Sequence, residues 1–259
     1  MSVVLVTGGT GELGALVVHR LVSTGDQVRV LSRRATATSS DSADVQQVTG
    51  DLSTGDGLGE ALDGVDAVVH CASDGHKAKT VDVEGTRRLV EVAAANGRPH
   101  LVYVSIVGVD RIPLGYYQAK LAAERLIEES GLPFSIQRAT QFPSLIQGML
   151  AAQSRLPVLL CLRGFRFQPV DPAEVADRLV QHVHTGPARR ALDMGGPQVL
   201  SHEDLARTWM TARDRRRAVL RIPVPGKVGK AFRAGANLCP DHAVGVRTWE
   251  QVLAESSEG

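Results

Sequence analysis

"TGGTGELG", residues 7–14, follows the apolar run "VVLVTG" (3–8) and leads into a helix-length segment from Glu12 to Thr24. Gly8, Gly11 and Gly14 fall in a GxxGxxG pattern, with Gly9 as a fourth glycine. On a strand-to-helix turn such glycines divide the work. One permits the tight turn, one lets a phosphate approach the backbone, and one allows the helix to pack against the strand. The helix that follows offers free N–H groups and a partial positive charge, which suit a pyrophosphate. A glycine-rich turn without a ligand has the same composition, so the reading depends on the chain around it.

That chain alternates. "QVRVLSR" (27–33) and "VQQVTGD" (45–51) read as strands, and a helical stretch near 57–63 precedes the strand "VDAVVHCA" (65–72). Residues 77–96 have helical periodicity, with Val81, Leu89, Val92 and Ala93 on one side. "HLVYVSI" (100–106), a helix over 115–130 and "FSIQRA" (134–139) complete the series. Strands alternating with helices imply a parallel sheet joined by right-handed crossovers, and near-continuous apolar strands imply burial on both faces. The expected fold is α/β, a doubly wound parallel sheet of Rossmann type. Its ligands bind beyond the carboxyl ends of the strands.

After about residue 140 the alternation weakens. "DPAEVADRLVQHV" (171–183) reads as a helix with Asp171 as N-cap and Pro172 at the first position. Residues 201–217 read as another, opened by Ser201 with Asp204 three residues later. The expectation is one domain over 1–259, with a core sheet over roughly 1–140 and a small substrate-side lobe over roughly 141–259.

Composition narrows the function classes. Of 259 residues 43% are hydrophobic and 22% charged, ordinary for a globular chain with a sizeable core. Twenty-nine basic residues against 28 acidic ones leave a net charge of +1, which argues against nucleic acid as the main partner. Cys71, Cys161 and Cys239 are widely spaced with no CxxC pair, against a disulfide framework or zinc site and in favour of a reducing cytoplasm. No signal peptide and no membrane span are expected.

The end of the second strand bears on which dinucleotide is bound. An acidic residue there would accept from ribose hydroxyls. This chain has Ser32, Arg33 and Arg34 instead, and guanidinium groups suit a 2′-phosphate. NADP is therefore expected over NAD, the alternative being a solvated basic pair. Thr10, Glu12 and Leu13 belong to the same turn and are expected to contribute with the glycines.

Taken together, "TGGTGELG", "GDL" (50–52), "VDVEGTRRLVEVA" (81–93), "YVSIVGVD" (103–110) and "YYQAK" (116–120) resemble an atypical short-chain dehydrogenase/reductase of the NmrA-like, NAD(P)-binding group. The resemblance implies that Asp51 and Leu52 lie by the adenine, and that Cys71, Ala72 and Ser73 line the ribose and nicotinamide side. It maps the family's catalytic set onto Ser105, Tyr116 and Lys120, with Lys120 also holding the nicotinamide ribose. Tyr116 and Lys120 are i and i+4, the spacing of a shared helix face. A nearby ammonium lowers a phenol's pKa, so Tyr116 would act as general acid and Ser105 would hydrogen-bond the substrate carbonyl. Asp82 stands where many relatives carry asparagine, and Tyr117 is a second candidate phenol.

Thr140, Gln141 and Phe142 follow the sixth strand and are candidates for a contact under the nicotinamide, or for core packing. His182 and His184, two apart, point to different sides of a helix and suggest no metal. His70 reads as a packed core histidine, and "RDRRR" (213–217) as a solvated helix end. The resemblance implies an oxidoreductase that reduces a carbonyl, enone or quinone-type group on a small molecule with NADP(H). An NADP(H)-binding redox sensor acting through protein contacts and an epimerase-like enzyme remain open beside it.

Overall fold

In a computed structural model, residues 1–33 and 44–255 are described. Arg34 lies outside the described residues. The glycine turn joins strand β1 (Val3–Thr7) to helix α1 (Glu12–Ser23), and β2 (Gln27–Ser32) and β3 (Val45–Thr49) follow. Then come α2 (Leu58–Leu62), β4 (Ala67–His70), α3 (Gly85–Ala95), β5 (His100–Ile106), α4 (Gly115–Glu129) and β6 (Phe134–Ala139). The remaining elements are α5 (Pro143–Ala151), β7 (Val158–Leu162), β8 (Arg166–Phe167), α6 (Pro172–Thr185), β9 (Arg189–Arg190), β10 (Leu200–Ser201), α7 (His202–Thr211), β11 (Ala218–Ile222), α8 (Gly226–Arg233) and α9 (Trp249–Glu255).

The main sheet has the order β3-β2-β1-β4-β5-β6-β9 and is parallel, as the alternation predicts. Its order reverses between β1 and β4, where a doubly wound sheet opens a crevice beyond the strand ends. Leu5, Val68, Leu101 and Ile136, from the adjacent strands β1, β4, β5 and β6, are fully buried in one cluster. Burying such a side chain contributes roughly 1.5–3 kcal/mol.

The chain forms two compact units and passes between them several times. The first contains residues 1–105, 118–137 and 172–191, and the second residues 106–117, 138–171 and 192–259. The second carries two small sheets, β10 with β8 and β11 with β7. Among the described residues no helix is long and apolar enough to cross a membrane.

Helix starts agree with the sequence better than helix ends. Ser201 caps α7 as expected, accepting from the Asp204 N–H at 3.1 Å, and Pro172 opens α6. The helix expected over 201–217 stops at Thr211. Asp214 takes a left-handed conformation at φ 48°, and the Arg215 N–H turns back to the Met210 carbonyl at 2.9 Å. The basic run is correspondingly not a plain solvated helix end. Arg213 lies over the Trp209 ring, and Arg217 donates to the Gln153 and Leu156 carbonyls. The helix expected over 77–96 begins with a π-helical turn, Lys79–Glu84, before α3.

His70 is the core histidine expected, and its bonds run in one direction. The Thr86 hydroxyl donates to the Asp82 carbonyl at 2.5 Å, so it must accept from His70 Nε2–H at 2.9 Å. His70 Nδ1 is then bare and accepts from the Thr7 hydroxyl at 2.6 Å, and Thr7 Oγ1 accepts from the Ala72 N–H at 3.3 Å. The chain ties the ends of β1 and β4 to the start of α3 through one neutral tautomer. Burial, helped by the Lys120 charge, pushes the His70 pKa down to about 3.

This generates a pH prediction. Below about 6.5 the unfolded chain binds a proton at His70 that the native protein refuses until about 3, so stability falls as pH drops through that window. Urea unfolding at pH 6.5 and 4.5 should show His70→Gln losing less stability than wild type, by roughly 1.4 kcal/mol per pH unit. Equal slopes would remove His70 as a neutral link.

Candidate functional site

The glycines of the turn are demanded by different neighbours. Gly8 has φ +68°, and a Cβ there would sit 2.7 Å from the Ala72 backbone nitrogen. A Cβ on Gly14 would meet the Gly8 carbonyl oxygen at 2.1 Å, and one on Gly9 would meet Val30 Cγ1 at 2.8 Å. Gly11 differs, because its Cβ would meet only the Gly8 oxygen, at 3.3 Å. Internal packing therefore accounts for three of the glycines and leaves the side of Gly11 clear. Gly11 directly precedes α1, and no side chain caps that helix. Thr10 and Glu12 are exposed, while Leu13 is buried, so Leu13 has only its backbone to offer. A helix N-terminus approached past a bare glycine fits a pyrophosphate.

Beyond β2, Ser32 is half-buried and Arg33 exposed. Asp51 accepts from the Ser53 hydroxyl and N–H, each at 2.7 Å, which holds its carboxyl below the usual range against the opposing effect of burial. The positive charges of Arg33 and Arg88 act in the same direction. Arg88, on α3, was not among the expected site residues, since in sequence it is one of a polar pair on a helix. One of its terminal nitrogens is buried without a hydrogen-bond partner among the described residues. Two guanidinium groups near Asp51 fit an added 2′-phosphate. Leu52 is buried in the main core, so its side chain serves packing.

Past β4, burial pushes the Cys71 thiol up to about 12, with the Lys120 charge opposing. Cys71 is thus a thiol rather than a nucleophile. Ser73 donates its hydroxyl to Asp82 Oδ1 at 2.7 Å. Lys120 is 3% exposed; its Nζ lies 3.4 Å from Asp82 Oδ1, donates to the Val104 carbonyl at 3.3 Å and sits 4.7 Å from the Tyr103 ring centre. Ser105, near the end of β5, is 3% exposed, and its hydroxyl has no hydrogen-bond partner among the described residues. All of these residues belong to the first unit.

The second unit contains the two tyrosines. Tyr117 is buried with its ring tilted against Phe232 at 6.3 Å, and Phe232 stacks on Phe165 at 4.9 Å. Burial pushes its phenol up to about 12, with Tyr116 adding to the effect and a bond to Gln141 opposing it. Tyr117 is a core residue, and Tyr116 is half-buried. Thr140 donates to the Gln168 carbonyl, and Gln141 to the Asn237 carbonyl at 3.0 Å. Both side chains thus join a buried polar network, whereas Phe142 caps α5 and stays half-buried. His182 and His184 face different partners, Gln137 Oε1 at 3.1 Å and Asp26 Oδ2 at 2.7 Å, both in the first unit. Among the described residues no group of three His, Cys, Asp or Glu side chains could hold a metal ion.

A family model described as NAD(P)H-binding matches residues 8–145. Over 163 residues the chain is 32% identical to the photosystem II assembly factor Ycf39 of Trieres chinensis, covering 60% of this chain and 49% of that one. It is 30% identical over 202 residues to the (4-alkanoyl-5-oxo-2,5-dihydrofuran-3-yl)methyl phosphate reductase of Streptomyces griseus, covering 76% and 69%. The chain spans less than half the length of several curated relatives it matches. Among solved structures, the NADPH-dependent quinone oxidoreductase QOR2 from Escherichia coli, complexed with NADPH, superposes with a TM-score of 0.82 over 98% of each chain. At 18% identity that likeness is one of fold.

The unequal glycines yield a paired prediction. Gly14→Ala should destabilise strongly, by more than about 2 kcal/mol, since its methyl would strike backbone. Gly11→Ala should fold with near-normal stability and bind NADPH at least about tenfold more weakly. Thermal unfolding and calorimetry separate the two effects; undiminished NADPH binding by Gly11→Ala would remove the phosphate role of the turn.

Proposed function

The chain belongs to the NAD(P)H-binding family, with the fold of the short-chain dehydrogenase/reductase and epimerase structures, and on that premise we propose an NADP(H)-dependent oxidoreductase that reduces a carbonyl, enone or quinone-type group on a small molecule. The bound cofactor supplies the hydride. In this reading the residues of this chain do the rest. The Gly8–Gly14 turn holds the pyrophosphate, Arg33 and Arg88 hold the 2′-phosphate, and Lys120 holds the nicotinamide ribose. Cys71, Ala72 and Ser73 line that ribose. Ser105 donates to the substrate oxygen, and Tyr116 delivers the proton as general acid.

The Ser105 hydroxyl carries the proposal. A buried hydroxyl without a partner costs roughly 1–3 kcal/mol, a cost a substrate oxygen would remove. The choice of Tyr116 over Tyr117 rests on burial, since Tyr117 is packed among aromatics and its proton is held tightly. The similarity to a reductase supports the class. A cytoplasmic location belongs to the same proposal. A second reading, a cofactor-binding sensor acting through protein contacts, is supported by the similarity to an assembly factor.

Two variants test the reading. Tyr116→Phe should keep NADPH affinity within about twofold and lower kcat by roughly 10²–10⁴-fold in NADPH oxidation against carbonyls and quinones. Unchanged turnover would exclude the general-acid role, and absence of turnover by wild type on a broad panel would favour the sensor. Arg33→Ala should weaken NADPH binding about tenfold and leave NADH binding unchanged, the loss of one charge-assisted bond. Equal losses for both would contradict the 2′-phosphate contact.

A further inference from the structure

We propose that Asp82 is the buried counter-ion that positions Lys120, keeping its ammonium charged and fixed beside the ends of β4 and β5. Its importance for cofactor binding rests on the reading of Lys120 as the ribose-holding lysine.

The Asp82 side chain is completely buried and that of Lys120 is 4% exposed, with 3.4 Å between Nζ and Oδ1. The carboxylate is held independently of the lysine. Oδ1 accepts from the Ser73 hydroxyl at 2.7 Å, and Oδ2 accepts from the Asp74 N–H at 3.2 Å. Its backbone is held as well, because the Asp82 carbonyl ends the hydrogen-bonded chain that runs from Thr7 through His70 and Thr86. Asp82 sits within the π-helical turn Lys79–Glu84, a local widening that often marks functional positions.

Other titratable groups lie on the elements around Lys120, among them Tyr116 one helical turn before it on α4. At the end of β4 His70 is neutral, and just past it the Cys71 thiol is protonated. On β5, Tyr103 presents its ring face. On α4 itself the Glu124 carboxylate pairs with Arg190 at 2.8 Å. Asp82 Oδ1 stands within ion-pair distance of this ammonium, at 3.4 Å. An asparagine there would preserve its shape but remove the charge and replace one of the two accepting oxygens with an NH2 donor, and a buried ammonium that loses a counter-ion gives up its proton more readily.

The test is the titration of Lys120 in the cofactor-free protein, followed by NMR of ¹³C-labelled lysine, with Lys120→Met identifying its signal. NADPH affinity is measured calorimetrically on the same samples. Asp82→Asn should lower the Lys120 midpoint by roughly 1–3 pH units and weaken NADPH binding about tenfold. An unmoved midpoint overturns the proposal whatever happens to binding. A lowered midpoint with unchanged NADPH affinity upholds the pairing and rejects Lys120 as a cofactor contact, so the two ideas fail separately. Should Asp82→Asn not fold, thermal unfolding of the Lys120→Met single and the Asp82→Asn/Lys120→Met double variants decides. The double variant melting above the single supports a compensating pair, and melting no higher overturns it.

Discussion

At Gly8 the first turn comes so near the backbone of Ala72 that one added carbon would lie 2.7 Å from its nitrogen. That approach fixes the ends of β1 and β4 against each other at the place where the strand order reverses. It also sets the direction of α1, because Gly14 must in turn accept the Gly8 carbonyl against its own Cα. The single-tautomer chain through His70 locks the same two strand ends from behind, inside the core. A turn with no side chains in front and a neutral hydrogen-bonded link behind makes a rigid, backbone-lined floor, which suits a ligand rich in phosphate oxygens.

Charge in the first unit is arranged around this floor. Asp51 lies under the influence of two arginines, and Asp82 meets Lys120 where no solvent screens the pair. A buried pair of this kind adds little net stability, since desolvation offsets much of the attraction; its value lies in fixing where a charge stands. The second unit is built differently. Gln141 donates to the Asn237 carbonyl and accepts from the Gln168 N–H, Gln168 donates to the Gly196 carbonyl and Asn237 to the Arg166 carbonyl, and a single Cβ on Gly196 would lie 1.6 Å from the Pro169 oxygen. That packing leaves little room for substitution within the unit.

Much of the architecture was legible because local signals were strong. Apolar strands alternate with helical stretches along the first 140 residues, and Ser201 and Pro172 mark helix starts through their own chemistry. The end of α7 was less legible. Nothing in the basic run announces that Asp214 turns left-handed or that Arg217 reaches carbonyls more than sixty residues away. The pairing of Thr7 with His70, 63 residues apart, and the charge of Arg88 at Asp51 are likewise products of tertiary placement. The weave of the chain was hidden for the same reason. Residues 172–191 return to the first unit although their sequence looks like any surface helix and its exit. Within the candidate site, sequence pointed to the glycines, Ser105 and Lys120, but could not say that Leu13, Leu52 and Tyr117 are core or that Gly11 alone is left clear.

In this arrangement the floor and its arginines receive NADP(H). Calorimetric titration of the wild-type protein with NADPH, and separately with NADH, tests it most directly. One site per chain is expected, with NADPH bound at least about tenfold more tightly, the difference of roughly 1.4 kcal/mol that a charge-assisted contact to the 2′-phosphate supplies. Equal or tighter binding of NADH would contradict the arginine assignment, and no binding of either would contradict the account as a whole.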